Sequence, residues 1–465
     1  MRSPLSPSSL SRTGTAVAVG ATGPARWREA RLVAYSAGNF GKNLVFAGAD
    51  ATILFLLTDL FGLPGSVAGS LMLIALAGDL IFDLLAAALV IRLRRSGRGY
   101  CWLIGAGAVP GGAAFALLYA IPALGVQQTG ILAGTLLAFR GAYAVIDVPH
   151  NAVMSQISSD SRARGRISGY RLFFSTVSSL IVASVLTPAV QLAAHQRTFG
   201  TLAAIGLVAG ALFAATLIAS ALASPTDPAG SAVTVSDGLA IPVRDPLVLA
   251  MALLAIITGF AAPAFVRMLL HLTTYVIGRP TLAGSLLLAV TAGQFLGVLL
   301  WTALTSRYDK SVLLAAGHAV AAFGLILFAA CPHSPPLLAS CCMLIGVGLA
   351  SIYMLPWGLL ADVVDFVAWR HGRRFETGLF AAYLVVVKAS GAGSTALIGW
   401  CLGWLGYMPG EVQSAAVRAG MLALGLGVPI AGCLAAVLLL PRFDIGHARH
   451  AGVIRALERR RPRPA

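Results

Sequence analysis

AFRGAYAVIDVPHNAVMSQISSDSRARGRISGYRLFF, residues 138–174, is the stretch that decides the class of fold. It begins as a long apolar run that contains one carboxylate, Asp147, and continues into a loop with Arg162, Arg164 and Arg166. An ionised side chain at membrane depth is costly, so it usually marks the path of an ion or a substrate. The stretch therefore predicts a transmembrane helix with a functional acid, followed by a basic loop.

The rest of the chain is equally apolar. Of its 465 residues, 58% are hydrophobic and only 11% are charged, whereas soluble domains have about 25% charged residues. Apolar runs of about 20 residues, each able to cross ~30 Å of hydrocarbon, recur along the sequence. They lack the alternation of period two that is typical of membrane β-barrels. We predict an all-α polytopic membrane protein with about twelve transmembrane helices.

The predicted spans form two groups of six, separated by a polar interval rich in Pro and Gly. The spans are 36–60, 66–92, 101–122, 128–154, 170–191, 199–223, 247–276, 281–303, 312–331, 336–361, 377–406 and 412–440. The predicted domains are a disordered tail 1–30, a six-helix bundle 31–223, a linker 224–246, a second six-helix bundle 247–441 and a basic tail 442–465. A basic turn follows the second span of each half, which suggests two related bundles around a central site.

The net charge of +16 does not indicate a nucleic-acid-binding protein, because the basic residues lie in alternate loops. This is the positive-inside pattern, and it predicts that both termini lie in the cytoplasm of a plasma (bacterial inner) membrane. The six cysteines have no metal-ligand spacing. No nucleophile–base motif, HExxH or CxxC is present. We therefore predict no enzymatic activity, no cofactor and no resident metal.

Three carboxylates within the spans are candidates for ion binding. Asp79 and Asp83 stand at i and i+4, on one side of span two. Together with Asp147 they would form a proton-sharing or sodium-binding cluster, since neighbouring carboxylates raise each other's proton affinity. The alternative is structural: the three acids would pair with basic residues inside the membrane, such as Lys42, Arg140 and Lys388.

Six segments carry a family resemblance. They are YSAGNFGKN in span one, GDLIFD in span two, YAVIDVPHNA in span four, GYRLFF in span five, LPWGLLADVVDF in span ten and YLVVVKASGAG in span eleven. They resemble the glycoside–pentoside–hexuronide:cation symporters, of which the melibiose carriers are the best-known members. The resemblance runs from about Tyr35 to Arg442 and implies the major facilitator fold, a monomer, and cation-coupled symport of a small solute by alternating access.

The resemblance also implies roles for individual positions. Asp79, Asp83 and Asp147 match the cation-site carboxylates of the family, and Lys388 matches a lysine that faces this site. Lys42, Tyr143 and Arg171 match positions that bind sugar or support its binding, with Arg171 one place out of register.

Several positions depart from the melibiose carriers. Asn43 stands where they have a sugar-binding aspartate, and Asn151 and Tyr353 stand at tryptophan positions. On the cation side, Phe82 replaces an asparagine and Ala144 replaces a threonine. Sodium prefers several hard oxygen ligands, whereas a proton needs only a carboxylate. The departures therefore favour a proton over sodium as the coupling ion at Asp79, Asp83 and Asp147.

The sequence also has charged residues that the resemblance does not assign. Asp50 lies seven residues after Asn43, on one helix face, where it could replace the missing carboxylate. Arg140 lies seven before Asp147, and span seven adds Arg267 and His271. Arginine binds carboxylates and phosphates bidentately, so an anionic or zwitterionic substrate is compatible with the sequence. The alternative is that Asp50 and Arg140 pair with each other.

Near the end of span ten, Asp362 and Asp365 precede a basic loop with Arg374. We predict that these three residues form a gate.

The sequence thus predicts a secondary active symporter of a glycoside, a uronide or a related small solute. Two other hypotheses remain. A relative with the same fold could carry a lysophospholipid or another amphiphile, because the PW…DVVD pattern at 356–365 resembles the animal sodium-dependent lysolipid symporters. A non-transporting receptor or scaffold would show no substrate-dependent flux.

Overall fold

The computed structural model describes residues 25–95, 100–125, 128–157, 161–224, 241–305, 307–331, 334–373 and 375–460. These residues form helices, with no strand among them. Twelve segments are long and apolar enough to cross a membrane, as the sequence predicts. The α-helices are α1 Ala25–Phe55, α2 Gly65–Arg95, α3 Tyr100–Ala120, α4 Thr129–Ile157, α5 Ser161–Ile181, α6 Thr187–Gln196, α7 Phe199–Ala223, α8 Pro246–Phe260, α9 Ala264–His271, α10 Leu282–Leu304, α11 Lys310–Ala330, α12 Pro335–His371, α13 Glu376–Trp404, α14 Ala415–Leu422, α15 Val428–Leu439 and α16 His447–Arg460.

Both ends of the chain are more helical than the predicted tails. Helix α1 begins at Ala25, and Glu29 in its second turn accepts a 2.6 Å hydrogen bond from the Tyr170 hydroxyl. Helix α16 lies inside the predicted basic tail, where the His450 ring stacks on Phe366 of α12 at 6.2 Å. Residues 1–24 and the central part of the predicted linker, 225–240, lie outside the described residues.

Several spans are interrupted rather than continuous. Span seven breaks after α8, and α9 begins directly after Pro263, because proline lacks the N–H that a continuous helix would need. Within the described ranges, four spans contain a π-helical turn, at Leu56–Leu60, Val182–Leu186, Leu272–Val276 and Ala423–Gly427. Such turns often occur at functional sites. The π-helical turns of spans one and seven lie at equivalent positions, since each of these spans is the first of its bundle.

The two bundles meet tightly at one end, which we call the sealed end. There α2 and α13 approach backbone to backbone: a Cβ at Gly69 would lie 2.5 Å from the Ala396 carbonyl oxygen and 2.8 Å from the Trp400 nitrogen. A Cβ at Gly399 would lie 2.7 Å from the Gly69 backbone. The Trp400 indole also donates to the Ser70 hydroxyl at 3.1 Å. Only glycine allows helices to approach so closely.

The opposite end, which we call the basic end, carries the arginine-rich loops. Hydrogen bonds and ion pairs join the two bundles at the sealed end and at mid-depth. The mid-depth contacts come from Asp50 and Asp83 of the first bundle, with Arg267 and Lys388 of the second. The bundles are therefore closed against each other on one side of a central polar site.

Candidate functional site

The centre of the polar site is an ion pair between the first and fourth spans. The Lys42 ammonium lies 2.5 Å from Asp147 Oδ1, 3.3 Å from Asn151 Oδ1 and 3.4 Å from His150 Nδ1. The Asn151 amide in turn donates to Asp147 at 3.1 Å. Since Lys42 is almost fully buried, this network compensates a charge that would otherwise be very costly at this depth. Asp147 is about one-fifth exposed, at 21%, so it remains accessible from the central site.

A layer of amide and hydroxyl groups adjoins this pair on the side of α5. The Asn43 amide donates to the Ser175 carbonyl oxygen and to the Ser178 and Ser179 hydroxyls, each at 2.8 Å. Arg171 donates to Asn39 Oδ1 at 3.0 Å and to Asn151 Oδ1 at 2.7 Å.

Arg171 and Lys42 thus converge on the same Asn151 oxygen. The structure therefore brings Lys42, Asn43, Asn151 and Arg171 together. Amides and cations in this arrangement are suited to hydroxyl and carboxylate groups of a small solute.

The two acids of span two face different partners. Asp79 accepts from Arg140 of α4 at 3.1 Å, and Asp83 pairs with Lys388 of α13 at 2.6 Å. The charges of Asp83 and Lys388 also act on Asp79, so the four residues form one electrostatic cluster. The Asp83–Lys388 pair joins the first bundle to the second, and both side chains are partly exposed.

Asp50 and Arg140 do not pair with each other, so that alternative prediction is wrong. Asp50 instead binds Arg267 of α9, whose Nε and Nη2 lie 3.1 Å and 2.7 Å from Asp50 Oδ1. The remaining arm of Arg267 donates to the Gly391 carbonyl oxygen of α13 at 2.7 Å.

Side chains around these charges shape the rest of the site. The Tyr143 ring stacks on Phe46 at 5.8 Å. Tyr353 is 41% exposed and interacts electrostatically with Asp50 and Arg267. Phe82 places its ring against the backbone of Gly78 and Gly141, about where a Cβ on Gly141 would touch it at 3.4 Å. An apolar ring therefore fills the space between α2 and α4 beside Asp79 and Asp83.

The predicted gate acids lie at the basic end and bind within the second bundle. Both Asp362 oxygens lie 2.7 Å from the Lys310 ammonium, and Asp365 lies 3.1 Å from His450 of α16. Arg374, the predicted third member, lies outside the described residues.

Nearby, Asp245 caps α8 and binds Arg370 and His371. Burial raises the pKa of Asp245, but the hydrogen bonds from Leu247 and His371 and the charge of Arg370 outweigh it, so that pKa lies below its ordinary value.

Three polar residues of the site are absent from the set of site residues that the sequence predicts. His150 is fully buried, stacks on Tyr35 at 4.8 Å and forms a hydrogen bond with Ser220 at 3.1 Å. Its other ring nitrogen, Nδ1, lies 3.4 Å from the Lys42 ammonium and helps to position it. Asn39 links Arg171 to Ser175. Both lie inside the motifs YSAGNFGKN and IDVPHN. Asp59 lies at the end of span one, where a lone acid in the run LLTDLFGL is itself a signal.

Every carboxylate of the central site thus has a basic partner: Asp147 with Lys42, Asp79 with Arg140, Asp83 with Lys388 and Asp50 with Arg267. This is the arrangement that the structural interpretation predicts. It is equally the arrangement in which a cation can act, because protonation of one acid frees a basic residue to move to another acid. The geometry therefore allows ion-linked rearrangement between the bundles.

Comparison with known proteins identifies the family. A family model described as MFS/sugar transport protein matches residues 34–447. The inner membrane symporter YicJ of Escherichia coli is 26% identical, over 88% of this chain and 90% of its own length. A second Escherichia coli protein, named "Putative glycoside/cation symporter YagG", is 24% identical, over 92% of this chain and 95% of its own length.

The structure agrees with this assignment at the level of the fold. A crystal structure of a point mutant of the nucleoside transporter NupG covers 88% of this chain with a TM-score of 0.67 and 11% identity. Twelve apolar helices and an inner-membrane relative make the chain an integral inner-membrane protein, and its relatives are transporters rather than enzymes. The chain belongs to the glycoside–pentoside–hexuronide:cation symporter family of the major facilitator superfamily.

Proposed function

We propose that this protein is a proton-coupled symporter that moves a glycoside, a uronide or a related small solute by alternating access. The observation that carries the proposal is the 2.6 Å ion pair between Asp83 and Lys388. It is partly exposed, joins the two bundles at mid-depth and lies within the field of a second acid, Asp79. A bond of this kind links the charge state of the site to the relative position of the bundles.

Proton binding at the cluster of Asp79, Asp83 and Asp147 supplies the coupling step. A proton on Asp83 removes its charge and leaves the Lys388 ammonium without its closest partner. An ion without a counter-charge is unfavourable at this depth, so Lys388 moves toward Asp79 or Asp147, both of which already interact with its charge. The bundles can then rock around the central site.

Two features favour a proton over sodium. The Phe82 ring lies between α2 and α4, where the resemblance to melibiose carriers expects an amide oxygen, and the buried Ala144 offers no oxygen either. In addition, each acid is already bound by a cation of the protein. Sodium would need several oxygen ligands at once, whereas a proton can replace one ion pair at a time.

The substrate site comprises Lys42, Asn43, Tyr143, Asn151 and Arg171. The amides and cations bind solute hydroxyls, and the Tyr143 ring offers an apolar face to a sugar ring. Arg140, which the sequence places among the substrate ligands, belongs in this proposal to the cation side because it holds Asp79 at 3.1 Å.

An acidic solute group would bind better at Arg267. The solute would displace the Asp50 carboxylate from this arginine, and Tyr353 lies beside both residues. A uronide would bind there through its carboxylate, since arginine matches a carboxylate bidentately.

The gate of the basic end comprises Asp362 and Asp365, with Arg374 as the third member from the sequence. In the described residues both acids are bound by Lys310 and His450 of their own bundle. Closure of the basic end would then require an exchange of these partners for basic residues of the first bundle.

The test is ion flux in proteoliposomes made with the purified protein, with internal pH recorded as solutes are added. The panel contains a neutral glycoside, a uronide and a lysophospholipid, each with and without sodium. Acidification of the interior on addition of a sugar, without sodium, supports the proposal. A response that requires sodium contradicts proton coupling.

A response to lysophospholipid alone supports the amphiphile hypothesis instead. No flux with any solute supports a non-transporting protein. An empty-liposome preparation and the Asp83→Asn variant are the controls.

A further inference from the structure

A cavity of about 110 Å³ lies between the two bundles, beside the central polar site. Its walls come from spans one and five of the first bundle and from spans seven and eight of the second. Each bundle contributes two polar residues to the lining, and alanine, valine and leucine make up the rest. The polar residues are Asp50, Ser179, Thr291 and Gln294. Only Asp50 among them has a part in the substrate site proposed above.

The polar groups of the first bundle keep part of their hydrogen-bonding capacity. Both hydrogen bonds from Arg267 go to Oδ1 of Asp50, so Oδ2 of this carboxylate can still accept. The Ser179 hydroxyl accepts from the Asn43 amide at 2.8 Å, which leaves its own proton to be donated. The first bundle therefore offers the cavity one acceptor and one donor.

The second bundle adds an acceptor and an amide. The Thr291 hydroxyl donates its proton to the Leu287 carbonyl oxygen at 2.9 Å, so its oxygen can accept from a ligand. The side chain of Gln294 is half-buried, and in the part of the chain that the structure describes it forms no hydrogen bond. Its amide can both donate and accept. A half-buried amide without a protein partner, on the wall of a cavity, is free to bind a ligand.

Close contacts between helices fix the walls of the cavity. A Cβ at Gly346 of α12 would overlap the Val290 carbonyl oxygen of α10 and would lie 2.9 Å from the Gln294 nitrogen. Nearer the sealed end, a Cβ at Gly284 of α10 would lie 2.7 Å from the Ala183 carbonyl oxygen of the first bundle. Because both contacts are made by backbone, the polar groups are held in place before a ligand arrives, which lowers the cost of binding.

The size and the charge of the cavity limit what it can hold. A cavity of about 150 Å³ binds benzene, which has six heavy atoms, so this cavity has room for about four. It is too small for a second sugar ring, but it fits a short arm of two carbons and a hydroxyl. The described lining residues include no lysine or arginine, and an anionic arm would meet the Asp50 carboxylate. A neutral hydroxyl matches the donors and acceptors of the wall.

We propose that the cavity is a subsite for a neutral, hydroxyl-bearing arm of the solute. Its specificity-determining residues are Asp50, Ser179, Thr291 and Gln294. The inference rests on the proposed function, since Ser179 binds Asn43 of the substrate site and the arm therefore adjoins the sugar ring. Because the wall comes from both bundles, a bound arm also holds span eight against spans one and five while the bundles are together.

The test compares two glycosides of equal size. One has a 2-hydroxyethyl group on the anomeric oxygen and the other an n-propyl group, so that a hydroxyl replaces a methyl group. The pair is made with glucose, galactose, mannose, xylose and glucuronic acid as the ring. Binding to the full-length protein in nanodiscs is measured by isothermal titration calorimetry. We expect the hydroxyethyl member to bind about five- to tenfold more tightly, the effect of one or two hydrogen bonds.

Variants assign this preference to the cavity. Gln294→Leu and Thr291→Val remove polar groups with little change of size, and each should lower the ratio of the two affinities by about threefold or more. A merely structural defect would weaken both glycosides and leave the ratio unchanged. Thr291→Val carries the test if Gln294→Leu fails to fold, and Thr291→Ser, which keeps the oxygen, should keep the preference. Gln128→Leu makes the same change at an exposed position and is the matched control.

Two outcomes would overturn the inference alone. The first is a propyl glycoside that binds as tightly as its hydroxyethyl partner, or more tightly. The second is a preference that stays unchanged in both Gln294→Leu and Thr291→Val. Failure of every pair to bind would contradict the proposed function together with the inference. The expected preference without proton flux in proteoliposomes would contradict symport and leave the subsite standing.

Discussion

At the scale of single residues, the central question is how a membrane-buried charge is compensated. Lys42 and Asp147 share Asn151 and His150 as neighbours, so neither charge stands alone. Asp83 has a simpler environment, a single lysine from the other bundle. Because the Asp83–Lys388 pair joins the two bundles, we propose that Asp83 is the acid whose charge state most directly controls the contact between them.

Asp83→Asn is therefore the most informative single substitution. We expect it to abolish concentrative uptake, with at least about a tenfold loss, because an amide cannot take up and release the coupling proton. Solute exchange across the membrane at equal concentrations should persist, since it needs no proton gradient. Both rates are measured in the same proteoliposomes with labelled solute.

The matched control for this prediction is Asp444→Asn, at an exposed aspartate beyond the last span. It makes the same chemical change and should leave both rates unaltered. If Asp83→Asn still accumulates solute against a gradient, the coupling site lies elsewhere.

The sequence singles out most of these residues, but not which acid pairs with which basic residue. Asp79, Asp83 and Asp147 stand out because a carboxylate in an apolar run is costly and is rarely found there without a functional role. The pairing of Asp50 with Arg267 rather than with Arg140 could not be predicted. Helical periodicity shows on which face of its own helix a residue lies, but not which other helix packs against that face. His150 escapes prediction for a similar reason: its role consists of contacts with Tyr35 and Ser220 of two distant helices.

At the scale of helices, the close contact of α2 with α13 sets the closed position of the bundles. The number and order of the spans follow from hydropathy alone, because twelve runs are apolar and long enough. The π-helical turns and the break before α9 are less predictable, since a helix with a π-helical turn or a three-residue break still reads as one apolar run. The role of the glycines at 65, 69, 399 and 403 becomes clear only from the structure, in which they lie where α2 and α13 are in contact.

Gly69→Ala should weaken the sealed end. The added Cβ would lie 2.5 Å from a backbone oxygen of α13, and backbone cannot move aside as a flexible side chain can, so the helices must separate. We expect the open fraction at the sealed end to rise several-fold, by about 1 kcal/mol or more, the typical cost of overpacking a close contact. The open fraction is measured by electron–electron double resonance, from the distance between spin labels introduced as unnatural amino acids at Leu124 and Val412.

Gly393→Ala is the matched control for this substitution, because it lies on α13 and its Cβ would meet nothing within 4 Å. It should leave the distance unchanged and stabilise the helix slightly, by roughly 0.5–1 kcal/mol, since alanine is the better helix former. An equal effect of both variants would mean that helix propensity, not the contact, is responsible.

At the scale of the whole molecule, the position of the basic loops and the position of the sealed end together indicate how the protein is oriented in the membrane. The basic residues lie in loops at one end, and the sealed end lies opposite, beyond the π-helical turns of spans one and seven. The positive-inside rule predicts that the basic end lies in the cytoplasm. The central site of this conformation would then be closed toward the exterior, and Asp59 would face that side when the bundles part. We propose a monomer, in which each chain contains a complete site between its own two bundles.

This orientation can be tested in intact cells with a membrane-impermeant thiol reagent. Val412→Cys, in the 97% exposed position of the loop before α14, should be labelled from outside, whereas Arg455→Cys on α16 should be labelled only after the cells are permeabilised. The difference follows from the membrane, since α16 and that loop lie at opposite ends of the last spans. The unsubstituted chain, with its six cysteines, gives the background for both. Labelling in the reverse order would place the termini outside the cytoplasm.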